Sequence, residues 1–265
     1  MNRIAALFQR KQQNILNVYC TAGYPQLNST LQVMQALQDN GADIIELGMP
    51  YSDPLADGPV IQHSGGIALE NGMTIKKLFE QLKDFRNNNS PSGAGGGIHL
   101  PVILMGYMNP VLQYGFEEFC KQAAELSIDG LILPDLPEHE FETEYGAVMH
   151  RYGLDFIFLV TPETSAERIK KLDQLSTGFL YAVSSSSTTG SDKNMMDVSA
   201  YLERLKSYQL KNPVLVGFGI KDKQTFDAAC KHANGAIIGT AFIKALENTK
   251  DISQSTNQFL ESVLK

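Results

Sequence analysis

The feature that most constrains this chain is a recurring series of short, nearly continuous apolar runs. Stretches rich in Val, Ile, Leu and Phe occupy residues 15–20, 44–47, 102–105, 130–133, 156–160, 179–183, 214–216 and 236–238. Strands exposed on one face alternate apolar with polar residues, whereas strands covered on both faces of a parallel sheet do not. Parallel neighbours need crossovers long enough to hold a helix. Residues 29–40, 75–85, 116–127, 166–175, 198–208 and 223–232 carry apolar residues at helical spacing and supply them. Eight such units in 265 residues predict an α/β chain with a single domain, residues 1–265, folded as a (β/α)8 TIM barrel. A doubly wound open sheet usually carries a GxGxxG turn after its first strand, and this sequence has none there. Residues 1–13, with apolar residues at 4–8 between Arg3 and Arg10, predict an extra N-terminal amphipathic helix. That run is too short for the core of a signal peptide.

Composition narrows the function. A net charge of −7 argues against a nucleic-acid partner, which calls for clustered Lys and Arg. A phosphorylated ligand would then be gripped locally, by backbone N–H groups. Cys20, Cys120 and Cys230 form no CxxC pair, so neither a disulfide framework nor a zinc site is expected, and a reducing cytoplasm fits. No apolar stretch approaches the roughly 20 residues that span a bilayer, so no membrane association is expected.

Barrel active sites lie where strands end and βα loops begin. The longest gaps follow the second and sixth strands. Glu46 ends the second strand among Ile44, Ile45, Leu47 and Met49, a setting in which it would point into the barrel mouth. Desolvation there raises a carboxyl pKa, which is how a general acid/base is tuned toward neutral pH. The competing reading makes Glu46 a structural partner of a barrel Lys or Arg. Asp57 follows in an Asp-Gly pair, by itself an ordinary turn. Three glycine sites, Thr189-Gly190, Gly217-Phe218-Gly219 and Gly239-Thr240, follow strands six, seven and eight. Such positions bring backbone N–H groups onto a phosphate. The run 184–189 is all Ser and Thr with no histidine nearby, and residues 184–192 read as a hydrogen-bonding lid rather than a nucleophile cluster. His63, His99, His139, His150 and His232 are scattered singly and suggest no metal site. Tyr19, Tyr107, Tyr181 and Phe218 stand on the same rim and suggest an aromatic-tolerant pocket. The Asn/Ser/Gly-rich tract 87–97 reads as a connection before the third strand, without function.

Residues 46–62, ELGMPYSDPLADGPVIQ, resemble the signature of the tryptophan synthase alpha subunit family, and supporting matches run through 101–111, 129–137, 181–190, 217–220 and 235–244. The resemblance implies a lyase of tryptophan biosynthesis that cleaves indole-3-glycerol phosphate to indole and glyceraldehyde 3-phosphate. Indole would pass to a beta subunit that makes L-tryptophan, in an alpha2beta2 heterotetramer. It further implies that Glu46 and Asp57 are catalytic and that Gly190, Gly219, Gly239 and Thr240 hold the phosphate. Tyr19, Met105, Ile132 and Phe218 would line the indole, with Tyr107, Tyr181 and Thr189 also touching substrate. No cofactor is expected in this chain, pyridoxal phosphate belonging to the beta subunit alone. Residues 53–59 and the Asn109-Pro110 turn would touch that partner. The chain departs from the familiar pattern in carrying Ser185 where an Arg is usual, Ser187 where a Gly is common, and Thr240 for a frequent Ser. Two alternatives stand beside this reading. A phosphosugar isomerase or epimerase would want a metal-binding His pair or opposed Asp residues, which the spacing does not offer. A non-catalytic barrel that activates a partner would not need both Glu46 and Asp57.

Overall fold

The computed structural model describes residues 2–87, 96–183, 195–217 and 219–265, with backbone alone at 195–198. Its strands are β1 (Ile15–Thr21), β2 (Ile44–Gly48), β3 (Val102–Met105), β4 (Gly130–Ile132), β5 (Asp155–Phe156), β6 (Leu159–Val160), β7 (Leu180–Val183), β8 (Val214–Gly217) and β9 (Gly235–Ile238). They form one sheet in the order β5-β4-β3-β2-β1-β9-β8-β7-β6, and every pairing is parallel.

The expected single strand at 156–160 is two short ladders on one stretch of chain. β5 pairs with β4 and β6 pairs with β7. Between them, Ile157 N–H donates to Leu131 O (3.1 Å) while Phe158 O accepts from Tyr181 N–H (3.0 Å). Residues 155–160 therefore hand over from one neighbour to the other, and this handover closes the ring into a barrel of eight strand positions. Staggered register is what closure of a tilted sheet requires.

Helices with strong local signals lie close to their expected places. The helix Ala166–Leu175 is capped by Ser165, whose hydroxyl accepts from Arg168 N–H, and Lys223–Cys230 opens with a capping box between Asp222 and Thr225. The segment 75–85 is helical only over Ile75–Gln81; turns follow, with Asp84 in the left-handed region at φ 63°. The helices Pro59–Glu70, Met108–Tyr114, Thr240–Leu246 and Ile252–Leu264, and the helical turns within 138–151, add to those expected. Pro59–Glu70 carries Ser64, Gly65 and Gly66 in its middle, residues of weak helix propensity. Pro59 at its first position supplies the preset φ that starts it.

The barrel interior explains which end is open. Residues of one parity along each strand face inward, and a cluster inside gathers one side chain from each strand position: Ile15, Ile44, Ile103, Ile132, Ile157, Phe179, Leu215 and Ile237. Ile4 and Leu7 from the N-terminal helix Arg3–Arg10 join the same cluster, so that helix plugs one end of the barrel. Asn2 caps it, accepting from Ala5 N–H (2.8 Å), and also reaches the carboxyl of Asp155. Arg3 and Arg86 both grip the buried Asp129, at 3.0 and 2.8 Å. With the bottom filled and stapled, the C-terminal strand ends form the mouth.

Candidate active site

Above the aliphatic deck the inward-facing positions change character. Asn17, Tyr19 and Thr21 share a face of β1 with Ile15; Glu46 and Gly48 share a face of β2 with Ile44. Register sets Tyr19 beside Glu46 and Thr21 beside Gly48. Glu46 is completely buried. Its Oε2 accepts from Asn17 Nδ2 at 2.8 Å, and its Oε1 has no partner among the described residues. Burial in the apolar barrel pushes its pKa up to about 8; the Asn17 N–H pulls the other way, and the charge of Asp57 adds to the rise. Among the described residues no Lys or Arg makes an ion pair with Glu46, so the structural-partner reading finds no cation.

Asp57 comes from the loop after β2. Burial pushes its carboxyl up to about 6, opposed by a hydrogen bond from Tyr107. The loop hangs on the next βα unit. Ala56 N–H donates to the Tyr107 hydroxyl at 3.0 Å, Asn109 donates to the Tyr51 hydroxyl at 3.1 Å, and the Tyr51 and Tyr107 rings lie 5.5 Å apart. Gln62 reaches back from the helix to Asp57 O at 2.8 Å. The two segments expected to touch a partner, 53–59 and Asn109-Pro110, are thus tied into one surface.

Two tyrosines lie over glycines on the following strand. A Cβ built at Gly48 would sit 2.1 Å from the Tyr19 hydroxyl, and one at Gly217 would sit 2.2 Å from the Tyr181 ring. Gly217, first read with the phosphate glycines, is required here by ring packing. Both phenols are pushed well above their ordinary pKa by burial, with the charges of Glu46 and Asp57 contributing. Thr21 is anchored to Ser64 of the helix Pro59–Glu70 by a 2.7 Å hydroxyl contact.

The remaining expected residues distribute as follows. Met105 is partly exposed, whereas Ile132 is fully covered in the interior cluster. Gly239 precedes the helix Thr240–Leu246, and a Cβ on it would meet Tyr19 at 3.4 Å, which joins this glycine to the mouth. Gly219 is exposed at φ +65° with nothing among the described residues within 4 Å of an added Cβ. Thr189, Gly190, Phe218 and the stretch 184–192 lie outside the described residues. Among the described residues no cluster of His, Cys, Asp and Glu is arranged to hold a metal ion, and no helix is long and apolar enough to cross a membrane. Sequence reasoning missed Asn17; its signal was an amide inside an apolar run, in phase with Ile15 and Tyr19.

Comparison with known proteins agrees along the whole chain. The sequence model of the family described as tryptophan synthase alpha chain matches residues 5–265. The tryptophan synthase alpha chain of Flavobacterium johnsoniae is 52% identical over 250 residues, covering 94% of this chain and 95% of that one. That of Parabacteroides distasonis is 45% identical over 264 residues, covering 99% of each. Among solved structures, the tryptophan synthase subunit alpha of Legionella pneumophila superposes with a TM-score of 0.87 at 36% identity, covering 99% of this chain and 97% of that one. A chain from tryptophan synthase of M. tuberculosis gives a TM-score of 0.82 at 30% identity, covering 99% and 100%. A parallel barrel plugged at its bottom, two carboxyl groups at its mouth and full-length similarity of this order lead to one assignment: the chain belongs to the tryptophan synthase alpha chain family.

Proposed function

We propose that Glu46 and Asp57 carry out the lyase reaction of this family, cleaving indole-3-glycerol phosphate to indole and glyceraldehyde 3-phosphate. The observation that supports it most is a fully buried carboxyl group, Glu46, with one oxygen unpartnered among the described residues and a pKa of about 8, beside a second carboxyl group at about 6. At neutral pH the first holds a proton and the second is mainly ionised. In this reading Glu46 gives its proton to indole C3, and the Asp57 carboxylate, facing the ring N–H, offsets the positive charge that develops. The Glu46 carboxylate then takes the proton of the glycerol hydroxyl next to the ring. The carbon–carbon bond breaks, its electron pair returns to the indole, the hydroxyl carbon becomes the aldehyde, and Glu46 is again protonated. One carboxyl group serves both proton transfers, and neither needs a cofactor in this chain. The activity is tested by following indole release from indole-3-glycerol phosphate with and without a beta subunit. Release in both cases, faster with the partner, is expected; none in either would overturn the reading.

The two shifted carboxyls set a pH window. Asp57 has to be ionised and Glu46 protonated, so kcat/KM should fall below about 6 and above about 8, giving a bell-shaped profile. A flat profile from about pH 5 to about pH 9 would contradict the paired roles.

The phosphate is assigned to backbone N–H groups at Gly190, Gly219, Gly239 and Thr240, with Tyr19, Met105, Tyr107, Ile132, Tyr181, Thr189 and Phe218 around the rest of the substrate. Gly219 at φ +65° holds a backbone shape that a β-branched residue adopts only under strain. Gly219→Val should therefore weaken binding of glycerol phosphate about tenfold or more, by turning those N–H groups away. Lys221, exposed nearby, should tolerate Lys221→Ala with little change. Equal losses in a titration of both variants would make side-chain charge the anchor instead.

The partner is a beta subunit, and the proposed assembly is alpha2beta2, in the cytoplasm, with residues 1–265 of this chain as one domain. The surface tied together by Tyr51 and Asn109 carries Leu55 and Leu112, 89% and 47% exposed, apolar groups suited to burial against that partner.

A further inference from the structure

We infer that Asn17 is a positioning residue that holds the Glu46 carboxyl group in its inward orientation through both of its protonation states. The inference rests on the reading of Glu46 as the proton carrier, and it begins with what surrounds Asn17. The side chain is fully buried. Its register neighbours on the two adjoining strands are Ile44 and Ile237, both part of the aliphatic interior cluster. An amide in such a deck is costly unless hydrogen-bonded, yet among the described residues Asn17 makes one side-chain hydrogen bond, to Glu46 Oε2 at 2.8 Å, and leaves its own Oδ1 unpartnered.

The pattern of orphan atoms is informative. Asn17 Oδ1 and Glu46 Oε1 are both buried acceptors without a donor among the described residues, and they belong to the two partners of the same hydrogen bond. A proton on Glu46 Oε1 supplies the kind of donor that Asn17 Oδ1 lacks. An amide carries both donor and acceptor. With Glu46 ionised, the Asn17 N–H stabilises the carboxylate; with Glu46 neutral, the same N–H meets the carbonyl oxygen and Oδ1 is free to accept. A Lys here would trap the charged form and an Asp would repel it, whereas an amide suits a carboxyl group that must alternate. Among the described residues, the titratable groups coupled to Glu46 are Asp57 after β2, whose charge raises its pKa, and Tyr19 and Cys20 on β1 and Tyr181 on β7, whose own pKa values the Glu46 charge raises. All are acids, so none of them stabilises its charged form by opposite charge, and among the described residues Asn17 alone pulls the Glu46 pKa down.

The test compares Asn17→Leu with wild type and with Glu46→Gln, in indole-3-glycerol phosphate cleavage across pH and in thermal unfolding. Leu fills the space between Ile44 and Ile237 and removes one orphan acceptor while creating another. The thermal midpoint should stay within about 4 °C, the shift that roughly one kcal/mol produces in a chain of this size. The kcat should fall roughly tenfold, the scale of one buried hydrogen bond, with KM within about twofold. The alkaline limb should move up by about one pH unit, because the carboxylate has lost its donor. An unchanged kcat with an unmoved alkaline limb overturns the inference whatever the thermal midpoint does. Near-normal turnover of Glu46→Gln would instead remove the reading on which the inference rests, so the two failures are separable.

Discussion

Glu46→Gln is expected to lower the rate of indole-3-glycerol phosphate cleavage by about 10² to 10⁴, the usual worth of general acid/base catalysis, while substrate affinity changes little. The substitution keeps the length of the side chain and an oxygen able to accept from Asn17 Nδ2, so the hydrogen bond between Asn17 and Glu46, at 2.8 Å, survives. It also replaces a group that is already uncharged at neutral pH, given its pKa of about 8, with another uncharged group. Stability should therefore be nearly unaffected. What is lost is a transferable proton, needed only as the reaction proceeds, and a loss confined to kcat is the mark of an interaction made in the transition state. Were Glu46 instead a structural ion-pair partner, the same change would lower the thermal midpoint and spare the chemistry. Single-turnover cleavage and thermal unfolding on one preparation separate the two.

Gly48→Ala should be nearly as damaging, by a different route. The added methyl would lie 2.1 Å from the Tyr19 hydroxyl and 2.5 Å from its Cζ, distances no pair of atoms tolerates, so the ring has to swing. Tyr19 is 9% exposed and packs along Gly239, which leaves it little room to do so without moving the wall beside Glu46. Overpacking of this kind costs about 1–3 kcal/mol, and a displacement of about 1 Å at a catalytic centre can cost about 10² in rate. Gly239→Ala, whose methyl would meet Tyr19 at an ordinary 3.4 Å, is the control and should lose far less. Tyr19→Phe removes the nearest clashing atom, so Gly48→Ala in that background should recover part of the lost stability. A Gly48→Ala variant with wild-type turnover and midpoint would show that Tyr19 does not define the mouth.

Much of this architecture is legible in the sequence, for reasons that differ from element to element. Strands buried on both faces leave a strong mark, and β1, β2, β3, β7, β8 and β9 begin and end within a residue or so of the apolar runs. The fifth strand position was blurred because continuity of apolar sequence does not reveal a change of pairing partner between Phe156 and Leu159. The helix Pro59–Glu70 was hidden by its prolyl start and its Gly65-Gly66 pair, since tertiary contact to β1 through Thr21 and Ser64 overrides weak propensity. Glu46 could be read as a mouth residue because a lone carboxylate in an apolar run must face something unusual. Asn17 carried the same signal and was passed over, being uncharged. Gly217 was grouped with the anion-binding glycines, and nothing in the sequence marks the Tyr181 ring that lies over it. The N-terminal helix was expected from its amphipathic pattern, but a pattern does not say that Ile4 and Leu7 plug a barrel formed by residues up to 238.

The proposed proton transfers require Glu46 to be a neutral carboxylic acid in the resting protein, and infrared spectroscopy reads that state directly. The protonated-carboxyl stretch that is present in wild type and absent from Glu46→Gln should persist through neutral pH and titrate away near about 8, with Asn17→Leu moving its disappearance upward. A band already lost by about pH 5, as for an ordinary exposed glutamate, would contradict the account.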